Sequence, residues 1–345
     1  MSLTEQVMEL ARKQGAIAVG VSTLETLAGG PPSTDLRYIL PDARSAVSFA
    51  LPLNREAIRA FLSKQNQTGH EQDNIETNIR AFYLAVELCK LVQSQGFIGK
   101  AVQPNLVYRK DVQDWPTLLP PDLSHRYLAA RSGVGWFGWS GNVGTKSHGA
   151  AIILGTMVTN AELKPTDPLP AQESWCDQCK RCVACCSGSM IEKEKERSVT
   201  IGGVNFSHAE RKSYLRCEFV CGGMTGLHQS GKWSTWSPGR YRLPEAEGEL
   251  FKELARAAGN YQKWPTFGTK GYQSPLLKGA NLHMTCGNCQ IVCWADKEDR
   301  KTNHRLLTKS GCVLQQPDGR LVALPAKEAA KAFAEMEPEQ RGLYT

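Results

Sequence analysis

The cysteines are the residues of this 345-residue chain whose type and spacing most directly suggest chemistry, and there are twelve of them. Seven lie in two short runs with C-x₂-C spacing: Cys176, Cys179, Cys182 and Cys186 in the first, Cys286, Cys289 and Cys293 in the second. Two intervening residues let successive thiolates bend around one compact cluster, and the C-x₂-C-x₂-C-x₃-C order of the first run is that of bacterial ferredoxins. The spacing therefore predicts two cysteine-ligated 4Fe–4S clusters and redox chemistry.

An eighth thiolate is needed to complete two clusters, and the segment YLRCEFVCGG offers Cys217, the preferred candidate, or Cys221. In two-cluster ferredoxins the fourth cysteine of such a run ligates the other cluster, which predicts a crossed arrangement. The predicted sets are Cys176, Cys179, Cys182 and Cys293 for one cluster, and Cys186, Cys217, Cys286 and Cys289 for the other. Cys89 and Cys312 lie outside these segments and are expected to be buried as small apolar side chains.

Structural zinc is the alternative for such a cysteine pattern. Zinc sites usually combine two separate C-x₂-C pairs around one four-coordinate ion, whereas a continuous triple followed by a fourth cysteine favours iron–sulfur. One departure from ferredoxins is that Ser187 and Trp294, and not proline, follow the last cysteine of each run. This departure changes the stiffness of the turn and leaves the number of ligands intact.

Composition favours a metal framework in a reducing compartment. The N-terminal MSLTEQVMELARKQG reads as an amphipathic helix and not as an export signal, and no long apolar run occurs, so a cytoplasmic location is expected. Cytosolic thiols stay reduced, so cysteines there indicate metal and not disulfides. The net charge of +7 falls to roughly +3 when eight thiolates and two doubly positive cluster cores are counted, so it is weak evidence for a nucleic-acid partner.

Helical and strand patterns alternate in the N-terminal half of the chain, which precedes the cysteine motifs. Residues 16–22, 45–53 and 150–158 are short and apolar, as in buried strands, and residues 74–96 form a long helical pattern with Asn74 as its N-cap. Such alternation predicts an α/β layer with helices covering a sheet.

Two later segments also carry clear patterns. Residues 163–170 contain three prolines and predict a linker. Residues 312–324 predict a hairpin with an Asp318-Gly319 turn, and a helix is predicted over 326–336.

A glycine-rich segment, residues 131–144, contains the pattern G-x-G-x-x-G. A dinucleotide site would need a strand before it and a helix after it, but the preceding LSHRYLAAR is helical and a strand follows, so the Rossmann interpretation fails. Two interpretations stay open. The glycines either serve backbone turns or allow a close backbone approach to a large, flat ligand.

The order of these segments resembles that of the cobalamin-dependent iron–sulfur reductases, which include epoxyqueuosine reductases and reductive dehalogenases. The shared segments are LAARSGVGWFG, the glycine-rich loop, a strand ending in ILGTMVTNAEL and the two cysteine motifs, within residues 1–295. The resemblance implies an α/β (α+β) fold with a nitroreductase-like cobalamin-binding domain over 1–165, a ferredoxin-like double 4Fe–4S domain over 166–300 and a C-terminal hairpin and helix tail over 301–345. It also implies that electrons pass through both clusters to a base-off cobalamin lined by Gly133, Gly135, Gly138, Asn142 and Gly144.

The resemblance is weaker at the proton donor. Epoxyqueuosine reductases carry an acid at the position occupied here by Leu119, and Asp122 is the nearest substitute, although an aspartate after two prolines is also a common helix N-cap. Together with the missing helical repeat extension of some tRNA-acting members, Leu119 disfavours a tRNA substrate. Reductive dehalogenases use a tyrosine beside a basic residue, for which Tyr108, followed by Arg109, is the first analogue and Tyr127 the second.

Partners are predicted from basic and aromatic residues near the motifs. Lys180 and Arg181 are suited to dock an acidic ferredoxin or flavodoxin as electron donor. The stretch 232–242 either stacks bases or packs Trp233 and Trp236 over a cluster. The leading expectation is a cobalamin-dependent reductase of an unidentified small molecule. The alternatives are a two-cluster electron-transfer protein without a corrinoid and a tRNA epoxyqueuosine reductase.

Overall fold

The computed structural model describes residues 1–103, 107–261, 263, 271–273 and 281–345. Its helices are α1 (Leu3–Lys13), α2 (Arg55–Leu62), α3 (Thr68–Ser94), α4 (Trp115–Leu118), α5 (His125–Arg131), α6 (Arg181–Ala184), α7 (Leu215–Cys221), α8 (Glu247–Tyr261), α9 (Asn288–Ile291), α10 (Lys297–Thr308), α11 (Ala326–Ala334) and α12 (Pro338–Arg341). Its strands are β1 (Ala18–Thr23), β2 (Ser45–Pro52), β3 (Gly99–Val102), β4 (Trp136–Phe137), β5 (Val143–Gly144), β6 (Ile152–Thr159), β7 (Ile191–Ile201), β8 (Val204–Arg211), β9 (Tyr272–Gln273), β10 (Asn281–Leu282), β11 (Cys312–Gln315) and β12 (Leu321–Leu324).

The N-terminal half is built on an antiparallel sheet with strand order β1-β2-β6-β3. Successive side chains of β2 point to opposite faces of the sheet. Val47, Phe49 and Leu51 join the core that α1 and α3 cover, whereas Ala46 and Ala50 join the core that α5 covers. This period of two is the one expected of a central strand with helices on both faces.

The predicted mixed helix-and-strand fold is confirmed. The apolar segments predicted as strands correspond to β1, β2 and β6, and the helical segment before the glycine-rich loop is α5. The predicted hairpin and helix of the C-terminal tail are β11, β12 and α11. Among the described residues, no helix combines the length and apolar character needed to cross a bilayer.

The long helix α3 begins earlier than predicted, at Thr68, so Asn74 is not its N-cap and lies buried inside it. The first turns of α3 lack the apolar spacing by which a helix is predicted. Their polar side chains bind other chain segments instead. The Tyr272 hydroxyl donates to the Asn74 side-chain oxygen at 2.8 Å, and the backbone N–H of Met284 donates to the Glu71 carboxylate at 2.5 Å. The start of α3 therefore binds the segment that leads into the second cysteine motif.

The region between the two cysteine motifs is more regular than its sequence suggested. Strands β7 and β8 pair as a long hairpin that turns at Gly202 and Gly203, with φ of +55° and +77°. Two positive φ values are what a two-residue hairpin turn requires, which is why two glycines stand there. The hairpin packs on the glycine-rich loop, with the Phe206 ring 5.1 Å from that of Trp136.

The proline-containing segment 163–170 is bound to the sheet domain. The hydroxyl of Thr166 accepts a hydrogen bond from the Val21 N–H of β1 at 2.9 Å and donates to the Ser132 carbonyl at 2.6 Å. The C-terminal tail is also attached, since the Arg240 N–H donates to the Tyr344 carbonyl at 2.8 Å. The two predicted domain boundaries, near residues 165 and 300, stay predictions.

Candidate metal centre

The cysteine motifs lie on tight turns that lead into short helices. The first motif enters α6, the second enters α9, and Cys217 and Cys221 lie on α7. Gln178 and Lys180, between the cysteines of the first motif, have φ of +54° and +56°, and Gly287 in the second has φ of +116°. A left-handed backbone at non-glycine residues is uncommon and is typical of functional sites. It lets a C-x₂-C segment direct successive thiols to one side.

One group of thiols contains Cys176, Cys179, Cys182 and Cys293. Burial raises the pKa of Cys182 to about 12, and the neighbouring Cys176 and Cys179 raise it further. Burial also raises the pKa of Cys293, again with the other three cysteines of this group as charged neighbours. The structure thus brings the second motif's last cysteine to the first motif's first three.

The second group contains Cys186, Cys217, Cys286 and Cys289. Burial raises the pKa of Cys289, and its next causes are the other three thiols of this group. Cys186 has a raised pKa from burial as well, with Cys286 and Cys217 among its neighbours. The two groups include the two predicted ligand sets, but Cys221 also neighbours Cys217 and Cys286, and Cys185 neighbours thiols of both groups. The assignment of ligands to clusters stays a prediction.

The structure does not separate Cys217 from Cys221 as the eighth candidate. They lie one turn apart on α7 with their sulfur atoms 3.5 Å from each other. A hydrogen bond from Cys221 is the main cause that lowers the pKa of Cys286 to about 7. Cys185, which the sequence reading did not consider, is fully buried and donates from its thiol to the Cys182 carbonyl at 3.4 Å.

The chemistry of these groups suits a cationic cofactor. All twelve cysteines are free thiols, and a buried thiol with a raised pKa becomes a thiolate only when a positive centre compensates the charge. Backbone N–H groups already point at two sulfurs, from Trp139 to Cys176 at 3.3 Å and from Met190 to Cys186 at 3.4 Å. Across the described residues no three cysteine, histidine or carboxylate side chains converge closely enough to bind one metal ion, so the groups are neighbourhoods of thiols and not preformed single-ion sites.

Arg300 of α10 connects the two cysteine motifs, and the sequence reading missed it. Its side chain is 4% exposed, and its Nη1 donates to the carbonyl oxygens of Trp175 at 3.3 Å and Trp294 at 2.8 Å. Trp175 precedes Cys176 and Trp294 follows Cys293, so one guanidinium spans the chain segments of both motifs. Planar guanidinium groups with several fixed donors are suited to this role.

A second buried arginine, Arg216, acts beside the other group. Its Nε donates to the Gly188 carbonyl at 3.0 Å and its Nη1 to the Pro244 carbonyl at 2.8 Å. It connects the segment after Cys186 to the start of α8. Only its position next to Cys217 could have suggested this role from the sequence.

Trp294, the residue that replaces the ferredoxin proline, is buried beneath two arginines. The guanidinium carbons of Arg55 and Arg59 each lie 4.8 Å from its ring centroid. Arg59 also forms a 2.6 Å ion pair with Asp299. These cation–π contacts attach α2 to the end of the second motif.

The glycine-rich loop is packed against its own chain. A side-chain carbon at Gly138 would lie 2.7 Å from the Trp175 ring, and one at Gly144 would lie 2.5 Å from the same ring. Four of the five residues assigned to the corrinoid are buried: Gly135, Gly138, Asn142 and Gly144. The fifth, Gly133, lines an open groove of about 310 Å³. The close approach that Gly138 and Gly144 permit is to Trp175, and the assignment of the five residues to a corrinoid stays a prediction.

Asn142 differs from the other four because its side chain faces a cysteine. Its Nδ2 donates to the Cys289 sulfur at 3.6 Å. The loop therefore contributes a polar side chain to the second group of thiols.

The candidate Tyr108 lies in a half-buried position. Burial, and next the charge of Glu218, raise the pKa of Tyr108. The side chain of the following Arg109 binds other residues: its Nη2 pairs with Asp111 at 2.6 Å and its guanidinium carbon lies 4.1 Å from the Tyr38 ring centroid. The role of Tyr108 as a proton donor stays a prediction.

Asp122 and Tyr127 have separate surroundings. Tyr108 and Pro121 form an antiparallel bridge, which brings Asp122 into the same turn, and burial raises the pKa of Asp122. It is not the N-cap of α5, because the Ser124 hydroxyl accepts the Tyr127 N–H at 3.3 Å. The Tyr127 ring packs 5.9 Å from that of Phe137 in the core.

No protein-family model matches this chain. The curated epoxyqueuosine reductase of Synechocystis sp. is 27% identical over 195 residues, which is 55% of this chain and 61% of the relative. That of Bacillus cereus is 33% identical over 162 residues, 46% of this chain and 39% of the relative. Over about half of its length, this chain is similar in sequence to epoxyqueuosine reductases.

The solved structure of a catabolic reductive dehalogenase, NpRdhA, is similar in fold. It covers 92% of this chain and 39% of its own at 13% identity, with a TM-score of 0.50. The predicted resemblance is thus confirmed in sequence for epoxyqueuosine reductases and in fold for reductive dehalogenases. The chain spans less than two thirds of the length of both curated relatives.

Proposed function

We propose that this chain is an iron–sulfur reductase that carries two 4Fe–4S clusters and passes electrons from a protein donor through them to a substrate. The observation that carries the proposal is that the thiols gather in two groups, each drawn from both cysteine motifs. The related epoxyqueuosine reductases support reductase chemistry.

The chain's own residues would hold and tune the clusters. When bound, the clusters supply one-electron transfer at a potential set by hydrogen bonds to sulfur and by solvent exposure. The N–H groups of Trp139 and Met190 donate to sulfur, and Trp139 and Ile191 pack with the thiols as an apolar shell. Arg300 fixes the relative position of the two motifs. Asn142 adds a donor to Cys289.

The finer part of the proposal concerns the electron acceptor. The resemblance implies a base-off cobalamin that reduces an unidentified small molecule. A corrinoid at the five assigned residues stays a prediction, so the electron path proposed from this chain's own residues ends at the clusters. The alternative is a two-cluster electron-transfer protein without a corrinoid. Measuring whether the chain binds cobalamin decides between this alternative and a corrinoid-dependent reductase.

Reduction of epoxyqueuosine in tRNA is the second candidate, favoured by the names of the curated relatives. In this reading Asp122, with its raised pKa, is the proton donor. Leu119 occupies the position of the expected acid with a left-handed φ of +46°. Of the two interpretations of residues 232–242, packing fits Trp233 and Trp236, which are 2% and 5% exposed and leave no ring face open for a base.

The test is anaerobic reconstitution with iron and sulfide, with and without cobalamin, followed by metal analysis and EPR. The proposal predicts about eight irons per chain and reducible 4Fe–4S signals. Turnover is then measured on a stem-loop RNA bearing epoxyqueuosine and on a brominated hydroxybenzoate, each with and without bound cobalamin. Zinc in place of iron, or iron that cannot be reduced, would contradict the proposal.

A further inference from the structure

The first group of thiols reaches the protein surface at one residue. Among the eight predicted ligands, all within the described part of the chain, Cys179 alone is exposed, and the others are half-buried or buried. Electron transfer between proteins needs a close approach of the two redox centres. The surface around Cys179 is therefore where a donor comes nearest to a cluster in the first group.

Helix α10 borders this exposed residue. The Nη2 of Arg300 forms a 2.9 Å ion pair with Asp177, which lies between Cys176 and Cys179. Further along α10, burial and next the charge of Arg181 lower the pKa of His304, which places Arg181 beside the helix. Residues 177–181 and α10 thus form one continuous surface.

The outer side of α10 carries cations at every fourth residue. A spacing of four places residues on one side of a helix, and the set extends over about 18 Å. All four are exposed: Lys297, Lys301, Arg305 and Lys309. Arg305 and Lys309 line an open groove of about 380 Å³, together with Ser63 and Ser310. The groove offers a place for an acidic side chain between two cations.

Lys180, which the sequence suggested for docking, is not part of this surface. Its ammonium lies 2.6 Å from the ring centroid of Trp139, with Glu194 and Glu196 among its charged neighbours. The cations beside Cys179 that stay at the surface are therefore Arg181 and those of α10, of which Lys301 forms an exposed 2.5 Å ion pair with Glu298.

We propose that Arg181, Lys297, Lys301, Arg305 and Lys309 form a docking surface for an acidic electron-carrier protein that reduces the first cluster near Cys179. This inference rests on the proposed two-cluster function and names the face that its donor uses. Complementary charge brings an acidic carrier to this face quickly and orients it, and the encounter is weakened by salt.

An acidic protein fits this surface better than a nucleic acid does. Asp296 and Glu298 interrupt the cations, so the surface lacks the unbroken line of positive charge that a phosphate backbone follows, whereas single carboxylates of a folded protein can each meet one cation. Single-stranded RNA is usually held by exposed aromatic rings as well. The exposed aromatic side chains of the described residues lie on other elements: Tyr38, Tyr83, Phe97, Tyr214 and Phe251.

The experiment follows cluster reduction in the reconstituted full-length chain. Purified flavodoxin, photoreduced to its hydroquinone, is mixed with the wild type and with Lys301→Glu/Arg305→Glu in a stopped-flow instrument at several salt concentrations. The control is Arg12→Glu/Lys13→Glu, which makes the same change of charge at two exposed residues of α1. Dithionite, a small reductant, reports whether the clusters themselves are intact in each protein.

Docking at this surface predicts that the α10 variant is reduced by flavodoxin about tenfold or more slowly at low salt and loses most of the salt dependence of the wild type. Its reduction by dithionite and that of the α1 control by flavodoxin should be unchanged. Equal flavodoxin rates in wild type and α10 variant would overturn the docking surface and leave the two-cluster proposal intact. The docking surface would also be overturned if the α10 variant bound a tRNA stem-loop more weakly than the wild type while its rate of reduction by flavodoxin stayed the same. A wild type without reducible iron would refute the underlying function.

Discussion

Asp177 and Arg300 form a 2.9 Å ion pair in which the arginine side chain is 4% exposed and the aspartate side chain 38%. The pair connects the first cysteine motif to a helix that begins four residues after the second motif ends. The same guanidinium donates to the backbone carbonyls of Trp175 and Trp294. A residue far from the first motif in sequence therefore binds the chain segments that carry both motifs.

Replacing Arg300 should remove the first cluster selectively. In Arg300→Met the Trp175 and Trp294 carbonyls lose a buried donor, which costs about 1–3 kcal/mol for each unsatisfied group. We expect iron per chain to fall from about eight to about four, with EPR signals of one cluster retained. Arg305→Met, on the exposed side of the same helix, is the control and should keep all its iron. Full iron content in Arg300→Met would show that the arginine does not position the ligands.

The eighth thiolate can be identified by two serine substitutions. Cys217 and Cys221 have their sulfurs 3.5 Å apart on α7, so either could reach the second cluster. We expect Cys217→Ser to lower iron to about four per chain and Cys221→Ser to leave about eight. Metal analysis after anaerobic reconstitution measures this. The reverse result assigns the ligand to Cys221, and two fully loaded variants would refute the eight-thiolate assignment.

The glycine-rich loop should be needed for stability even without any cofactor. A methyl group at Gly138 would lie 2.7 Å from the Trp175 ring, and overpacking of this kind costs about 1–3 kcal/mol. Gly138→Ala should therefore lower the free energy of unfolding of the cofactor-free protein, measured by chemical denaturation. Gly259→Ala, in α8 with open space around it, should be neutral or stabilising. Unchanged stability of Gly138→Ala would favour a ligand-binding role for the loop.

Buried histidines should make the protein less stable in mild acid. Burial lowers the pKa of His70 to about 4, and both of its ring nitrogens lack a hydrogen-bond partner among the described residues. The folded-state pKa lies below the unfolded value of about 6.5, so the unfolded chain takes up the proton first. This group's contribution is complete above pH 6.5 and is lost as the pH falls towards 4, by at most about 3 kcal/mol.

The variant His70→Leu isolates this contribution. His125 has a pKa lowered to about 4 by burial as well, so the wild type should lose stability from both histidines. Unfolding free energies measured between pH 7 and pH 4 should depend less steeply on pH in His70→Leu. An unchanged slope would mean that His70 is not held neutral in the folded chain.

The sheet and the cysteine groups were predictable because both follow local rules. The short apolar run of residues 45–53 predicts a buried strand, and cysteine spacing predicts which thiols come together. The hairpin β7–β8 also has a sequence signal, since Gly202-Gly203 separates two strand-like segments, but its charged residues hid the pattern. Local rules therefore identify the elements that bear the ligands.

Long-range burial of polar residues was not predictable. Arg300 reads as one more charge on an exposed helix, and Asn74 reads as a helix cap, yet both are buried by contacts with distant segments. The start of α3 and the role of Arg300 depend on which polar groups meet in three dimensions. The packing of Gly138 and Gly144 on Trp175 likewise depends on a tryptophan about thirty residues away, which no local glycine pattern shows.

The crossed ligand sets are the central claim, and Cys293→Ser tests them most directly against Cys289→Ser. Both residues belong to the second motif, but they lie in different groups of thiols. After anaerobic reconstitution we predict about four irons per chain in each variant, with EPR signals from different clusters, and no iron in the double variant. Loss of the same cluster in both variants, or zinc in the wild type, would contradict the account.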